Sequence, residues 1–251
     1  MQNKITQAVI LSAGFGKRVK HISDTIPKVM APIQGKPLLL RHIEWFKKHG
    51  VTEFFINLHY MPDAIRSYFG DGSSLGVKIV YAHEDPNVLG TAGGVKNFES
   101  FLDGHFFLIY GDLYSEMNYS KMAEHFFAPD GPADNGALGM ELIGETDHPM
   151  DSDLVEVDGS SRFLKIYPKP HDKLPEKYKS MRGIFIFNKK ILRYIPPQKY
   201  YEIDHELLPV ILKDGKFFYG YEAPDDYVKD IGTPERYYQI HAHLEGGSLV
   251  L

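Results

Sequence analysis

From residue 8 to residue 112, short apolar runs alternate with segments whose apolar residues recur every three or four positions, and this alternation constrains the fold most strongly. It is the pattern of a sheet whose strands are joined by crossover helices. Ala8 to Leu11 reads as a buried strand followed by a glycine-containing loop. Lys36 to His49 places Leu39, Ile43 and Phe46 on one helical stripe closed by Gly50. Phe54 to Leu58 and Val77 to Ala82 are further strands, with a short helix from Pro62 to Phe69 between them that ends at Gly70. Ala92 to Leu102 reads as helix, and Phe106 to Tyr110 as an apolar strand running straight into Gly111-Asp112. In open α/β sheets ligands bind beyond the carboxyl ends of strands, so Asp112 stands where function is expected.

The second half is less regular and reads as mixed in strand direction. Strands are expected at Ala137 to Glu141, Leu154 to Val157, Phe163 to Tyr167 and Gly183 to Phe187. An exposed loop is expected over Tyr167 to Lys179 and a last helix over Pro234 to Leu244. No linker composition interrupts the chain. Residues 1–251 therefore read as one domain, with a nucleotide-like half (1–130) and a second, acceptor-like half (131–251).

Charge narrows the function. With 28 Lys+Arg against 33 Asp+Glu the net charge is −5, and no run of adjacent basic residues is longer than a pair, which argues against nucleic acid as a partner. The absence of cysteine removes disulfides, thiolate nucleophiles and cysteine-ligated metals. No run approaches the roughly 20 apolar residues of a membrane span, and the N-terminus lacks the longer apolar core of a signal peptide. The expectation is a cytoplasmic chain with no membrane partner. The 13% aromatic content suits a core or a homo-oligomer interface equally. The twelve histidines show no H-E-x-x-H, and His241 and His243 point to different helix faces, so they read as structural or solvated.

Five blocks carry chemistry. The first is Leu11-Ser12-Ala13-Gly14-Phe15-Gly16-Lys17-Arg18, followed by Pro27-Lys28 and Pro32. A strand ending in a glycine loop brings backbone N–H groups close to an anion, and Arg18 and Lys28 add positive charge, a combination that suits a triphosphate. The dinucleotide fingerprint fails because Val19 stands where its third glycine belongs, and no P-loop motif exists. The others are Leu89-Gly90-Thr91-Ala92-Gly93-Gly94, Gly111-Asp112, Lys169-Pro170 and Asp230-Ile231-Gly232-Thr233-Pro234. Each alone has a plain alternative: a tight turn after the first strand, a capping Thr91, turn aspartates at 112 and 230, solvated lysines at 28 and 169.

In order, these blocks resemble the signature of the sugar-1-phosphate nucleotidylyltransferases, most closely the mannose- or heptose-1-phosphate guanylyltransferases and muramate-type uridylyltransferases. The resemblance implies an α/β, Rossmann-like nucleotidyltransferase fold with a central mixed, mostly parallel sheet flanked by helices. It implies a nucleoside triphosphate and a sugar 1-phosphate as substrates, pyrophosphate as leaving group, Mg²⁺ as cofactor, and a minimal chain without the β-helix extension of some relatives. Asp112 and Asp230 match the family's metal carboxylates, Arg18 its triphosphate-contacting arginine and Lys28 its lysine near the reacting phosphates. Leu11, Ser12, Ala13, Gly14, Gly16, Gly90 and Thr91 match its nucleotide loops, with Glu84 on the base side. Lys169 and Gly183 match its sugar-phosphate contacts.

The departures are Pro168 in place of the family's glutamate, Met181-Arg182 in place of asparagine-alanine, and Asn87-Val88 inserted before Leu89. Arg182 is thereby open to an additional anionic or hydroxylated part of the acceptor. Asp204-His205-Glu206 resembles a family run at a helix start, with a capping or sugar-side role. The leading expectation is guanylyl transfer to a mannose- or heptose-type sugar. Uridylyl or cytidylyl transfer to another phosphorylated acceptor stays open, as does a nucleotide-sugar-binding module without catalysis. A dinucleotide oxidoreductase is disfavoured by Val19.

Overall fold

Ala8, Val9 and Ile10 of strand β1 (Gln7–Leu11) are fully buried, because helices cover both faces of the sheet in which β1 is central. The computed structural model describes residues 4–14 and 25–246. A small ribbon of β2 (Pro32–Ile33) and β3 (Lys36–Pro37) leads into α1 (Leu38–Lys48), then β4 (Glu53–Leu58), α2 (Pro62–Phe69), β5 (Lys78–His83), α3 (Gly90–Lys96) and β6 (His105–Tyr110). There follow β7 (Leu113–Ser115), α4 (Tyr119–Phe126), β8 (Gly139–Gly144), β9 (Leu154–Val157), β10 (Phe163–Tyr167) and β11 (Lys179–Asn188). A π-helical turn, Ile203–Leu207, opens into α5 (Leu208–Lys213), and β12 (Phe218–Glu222), β13 (Val228–Asp230) and α6 (Pro234–Leu244) complete the described chain.

Among the described residues, nine strands form one sheet in the order β10-β9-β11-β6-β1-β4-β5, with β8 and β12 joining alongside β11. Within the first half β6, β1, β4 and β5 are all parallel. Only β10 and β11 run against the other strands, so the sheet is mixed and mostly parallel, in a Rossmann-like arrangement. The period of two sorts the core: Ala8, Ile10, Phe54 and Ile56 face α1, α2 and α4, while Val9 and Phe55 face α3 and α5. A third, smaller cluster packs Ile231 and Ile240 against Ala31, Ile33, Leu38 and Tyr114, fixing α6 and β13 beside β7.

The differences from the sequence expectations have local causes. The helix expected from Lys36 starts at Leu38, since Lys36-Pro37 pairs with Pro32-Ile33 as ribbon. It ends as expected at Gly50, whose φ of +89° lets the amides of Gly50 and Val51 turn back onto Lys47 and Phe46 carbonyls. The helix expected over Ala92 to Leu102 is displaced to Gly90–Lys96, and the chain continues in irregular turns. Its glycines are poor helix formers chosen for proximity: a Cβ on Gly93 would lie 2.7 Å from the Lys199 carbonyl oxygen. The strand expected at Ala137 to Glu141 is shifted to β8, and Gly183 to Phe187 lies inside the longer β11. No helix of the described residues is long and apolar enough to cross a membrane.

Candidate functional site

Because β1, β4, β5 and β6 are parallel, their carboxyl ends open on one edge, where a cavity of about 450 Å³ is found. Leu11, Ser12, Ala13 and Gly14 line it after β1, with Lys28, Glu84, Gly90, Thr91 and Asp112 around the rim. Seven of the eight expected nucleotide-side residues therefore share one cavity. The eighth, Gly16, lies outside the described residues together with Arg18. Lys28 is the one Lys or Arg among the described residues of this lining.

The floor is held by a residue the sequence reading missed. Asn57, at the end of β4, accepts from the Ser12 amide at 2.6 Å and donates to Glu84 Oε1 at 2.8 Å, and Glu84 Oε2 accepts from the Leu89 amide at 2.7 Å. Glu84, 2% exposed, thus ties the first glycine loop to the second with both carboxylate oxygens. Gly94 makes room for it, since a Cβ there would stand 2.6 Å from Asn57 Nδ2. Thr91 does not cap α3: its hydroxyl accepts from the Ile203 amide at 2.8 Å, while the amides of Ala92 and Gly93 donate to the Tyr201 carbonyl. These contacts spend helix-start donors that sequence reasoning left free for a ligand.

A second cavity, about 670 Å³, lies on the other side of Tyr110 and Asp112, which line both. Lys169, Gly183, Asp230 and Arg182 all line this one. Gly183 sits at an irregularity of β11 with φ +69°; its amide donates to Glu141 Oε1 at 3.0 Å, and a Cβ on it would meet the Tyr110 ring at 2.6 Å. Three carboxylates gather at this floor. Asp153 takes the Lys169 amide at 3.0 Å, the Lys169 ammonium at 3.3 Å and His205 Nε2 at 2.8 Å. Burial opposes ionisation of Asp153, but Lys169 and His205 hold its carboxyl below the usual range. Asp204 accepts from the Tyr110 hydroxyl at 2.7 Å, and burial followed by the Asp153 charge pushes its carboxyl up to about 7. Burial and the Asp204 charge likewise raise Glu141 well above the carboxylate range. Of the run at 204–206, Asp204 lines the second cavity and His205 reaches it only through its bond to Asp153, while Glu206 takes the Glu202 amide at 2.8 Å as a cap would. Arg182 donates to the Glu145 carbonyl, and Pro168 precedes Lys169 without replacing the glutamate it displaces.

A short ladder joins the two metal-site candidates. β13 pairs with β7 so that Asp230 stands opposite Leu113, and the Ile231 amide donates to the Asp112 carbonyl at 2.9 Å. Each carboxylate already holds a cation: Lys28 Nζ is 2.5 Å from Asp112 Oδ2, and Arg236 Nη1 is 2.9 Å from Asp230 Oδ2. Beneath them the buried His42 contacts the Gly111 carbonyl at 3.3 Å, and burial lowers its pKa to about 4, so it is neutral at pH 7. Among the described residues no group of three or more His, Asp or Glu is arranged to hold a metal. Two carboxylates nevertheless fit Mg²⁺, which keeps several waters and completes its shell with substrate phosphates.

Comparison with known proteins identifies the family. The family model described as nucleotidyl transferase matches residues 7–247. The UTP–glucose-1-phosphate uridylyltransferase of Synechocystis is 30% identical over 246 residues, covering 93% of this chain and 62% of that protein. The chain therefore spans less than two thirds of that relative. The D-glycero-alpha-D-manno-heptose 1-phosphate guanylyltransferase of Campylobacter jejuni is 30% identical over 237 residues, covering 93% of this chain and 98% of that one. The crystal structure of HddC from Yersinia pseudotuberculosis complexed with GMP-PN is 27% identical, with a TM-score of 0.76 over 96% of this chain and 100% of that one.

Proposed function

The chain belongs to the nucleotidyl transferase family, and from that premise we propose that it joins a nucleoside triphosphate to a sugar 1-phosphate, giving an NDP-sugar and pyrophosphate. The observation that carries this reading is the pair of cavities meeting at Tyr110 and Asp112. A phosphate oxygen of the acceptor attacks the α-phosphorus, one P–O bond forms, and the bond to the β-phosphate oxygen breaks in line with it. Two anions must be brought together for this, so positioning and charge neutralisation supply most of the rate. Two cavities meeting at one carboxylate support a reading in which donor and acceptor approach the reacting phosphate from opposite sides.

Asp112 and Asp230 would hold Mg²⁺, which supplies charge neutralisation at the phosphates when bound. Lys28 serves the triphosphate side and Lys169 the sugar's phosphate, each as a compact point charge. Arg18 and Gly16 belong to the triphosphate loop in this reading. Glu84 acts through the loops it ties together as well as through the base side. The carboxylate floor of Glu141, Asp153 and Asp204 supplies acceptors for sugar hydroxyls.

GTP with a heptose- or mannose-type 1-phosphate is the favoured pair, supported by the Campylobacter jejuni heptose relative, matched over nearly its whole length, and by HddC, solved with GMP-PN. Uridylyl transfer is the second reading, supported by the Synechocystis relative. The test is pyrophosphate release with Mg²⁺, crossing five triphosphates with hexose, heptose and amino-sugar 1-phosphates. Turnover with GTP and a heptose or mannose 1-phosphate supports the first reading and turnover with UTP the second. Triphosphate binding without pyrophosphate release from any pair would overturn both in favour of a binding module.

A further inference from the structure

Arg236 is absent from every motif, yet it occupies the carboxylate that the proposed function assigns to the metal. One guanidinium nitrogen lies 3.0 Å from Asp230 Oδ1 and 2.9 Å from Oδ2, and the Gly232 amide donates to Oδ1 at 2.7 Å. Both side chains line the second cavity and are only partly exposed, Arg236 at 20% and Asp230 at 26%. Two features make this more than an ordinary surface ion pair. Arg236 sits in the first turns of α6, whose Ile240 is locked in the small cluster behind the site, so its backbone cannot drift away from Asp230. In addition, of the other cations lining this cavity Lys169 is held by Asp153, Arg182 by the Glu145 carbonyl and Lys229 by the Gln239 side chain, whereas Arg236 is held by the carboxylate that the proposed function assigns to the metal.

A divalent cation and a guanidinium cannot share the same two oxygens, because like charges at contact distance repel and each needs the lone pairs the other uses. We propose that Arg236 is a displaceable counter-ion of Asp230: it holds the carboxylate in place in the metal-free site, is expelled by the divalent cation, and turns to the acceptor's phosphate in the same cavity. The proposal rests on Asp230 being a metal ligand. It makes metal entry and acceptor binding mutually reinforcing, since whatever draws Arg236 off Asp230 favours the other event equally.

The experiment is a titration of the whole chain with Mn²⁺ alone, free Mn²⁺ being counted by electron paramagnetic resonance. It compares wild type, Arg236→Gln, Asp230→Asn and the double variant. Arg236→Gln is expected to tighten Mn²⁺ binding about fivefold, and the gain should vanish in the Asp230→Asn background. In turnover the same variant should raise KM for the sugar 1-phosphate far more than it lowers kcat. Arg236→Lys, which keeps the charge but loses the planar fork, should fall between, and it replaces the Gln variant if that one loses its near-ultraviolet circular dichroism. Unchanged or weaker Mn²⁺ binding in Arg236→Gln, with binding abolished in Asp230→Asn, overturns the counter-ion role and leaves the metal ligand standing. Unaltered Mn²⁺ binding in Asp230→Asn overturns the metal ligand itself and the counter-ion role with it.

Discussion

Asn57 and Glu84 are joined by a buried hydrogen bond of 2.8 Å, and through it the ends of β1, β4 and β5 become one platform. The Ser12 amide enters on one side of the pair and the Leu89 amide on the other. Glycine loops have little stiffness of their own, so a triphosphate can be gripped by backbone amides only if something else fixes their direction. A side chain in the middle of the sheet does this.

Asn57→Ala removes that link and leaves the Ser12 amide and one Glu84 oxygen buried without a partner. At about 1–3 kcal/mol for an orphaned buried group, the variant should lose about 2–4 kcal/mol of stability and raise KM for the triphosphate. Urea unfolding and initial rates measure both. A variant with wild-type midpoint and KM would show that the platform does not depend on this pair.

Asp112→Ala and Asp230→Ala should each abolish pyrophosphate release while leaving the fold intact, because both carboxylates stand at the mouths of the cavities and outside the apolar clusters. Near-ultraviolet circular dichroism checks the fold. Turnover close to wild type in either variant would remove that residue from the reaction.

Gly183→Ala forces a side chain into a left-handed backbone and into the face of Tyr110, whose ring would stand 2.6 Å from the new methyl. The backbone strain costs about 1–3 kcal/mol before any displacement of the ring. Since Tyr110 lines both cavities, activity should fall with stability, and a repacked but fully active variant would show that the wall between the cavities tolerates movement.

Acid should destabilise the protein through His42. Its pKa is depressed from 6.5 to about 4, so the unfolded chain takes up the proton more readily than the folded one. The stabilisation is fully present above pH 6.5 and is lost as pH falls towards 4, amounting to about 3 kcal/mol over that window. His42→Gln keeps a donor for the Gly111 carbonyl and removes the titration. Thermal midpoints of the variant should therefore decline less than those of wild type between pH 7 and pH 4, and parallel declines would assign the acid sensitivity elsewhere.

Much of the site was legible because its motifs are local. Ser12 to Gly14, Gly90-Thr91, Asp112 and Asp230 all follow strands or precede helices, and apolar runs such as Phe106 to Tyr110 announce where strands stop. The small β7–β13 ladder was not legible, being two three-residue strands of mixed character more than a hundred positions apart. Nor were Asn57, Glu141 and Arg236, single polar residues in unremarkable surroundings that acquire their partners 27, 42 and 6 positions away.

The sequence by itself determined the strand-and-helix alternation, the sheet edge on which the candidate site opens, and the order of its motifs, since hydrophobic period and glycine placement act over a few residues. Only the tertiary structure decided that these motifs divide between two cavities meeting at Tyr110 and Asp112, and that Lys28, Lys169 and Arg236 are each held by a carboxylate. Charge pairing depends on distance in space, and strand order sets that distance for residues the chain keeps far apart.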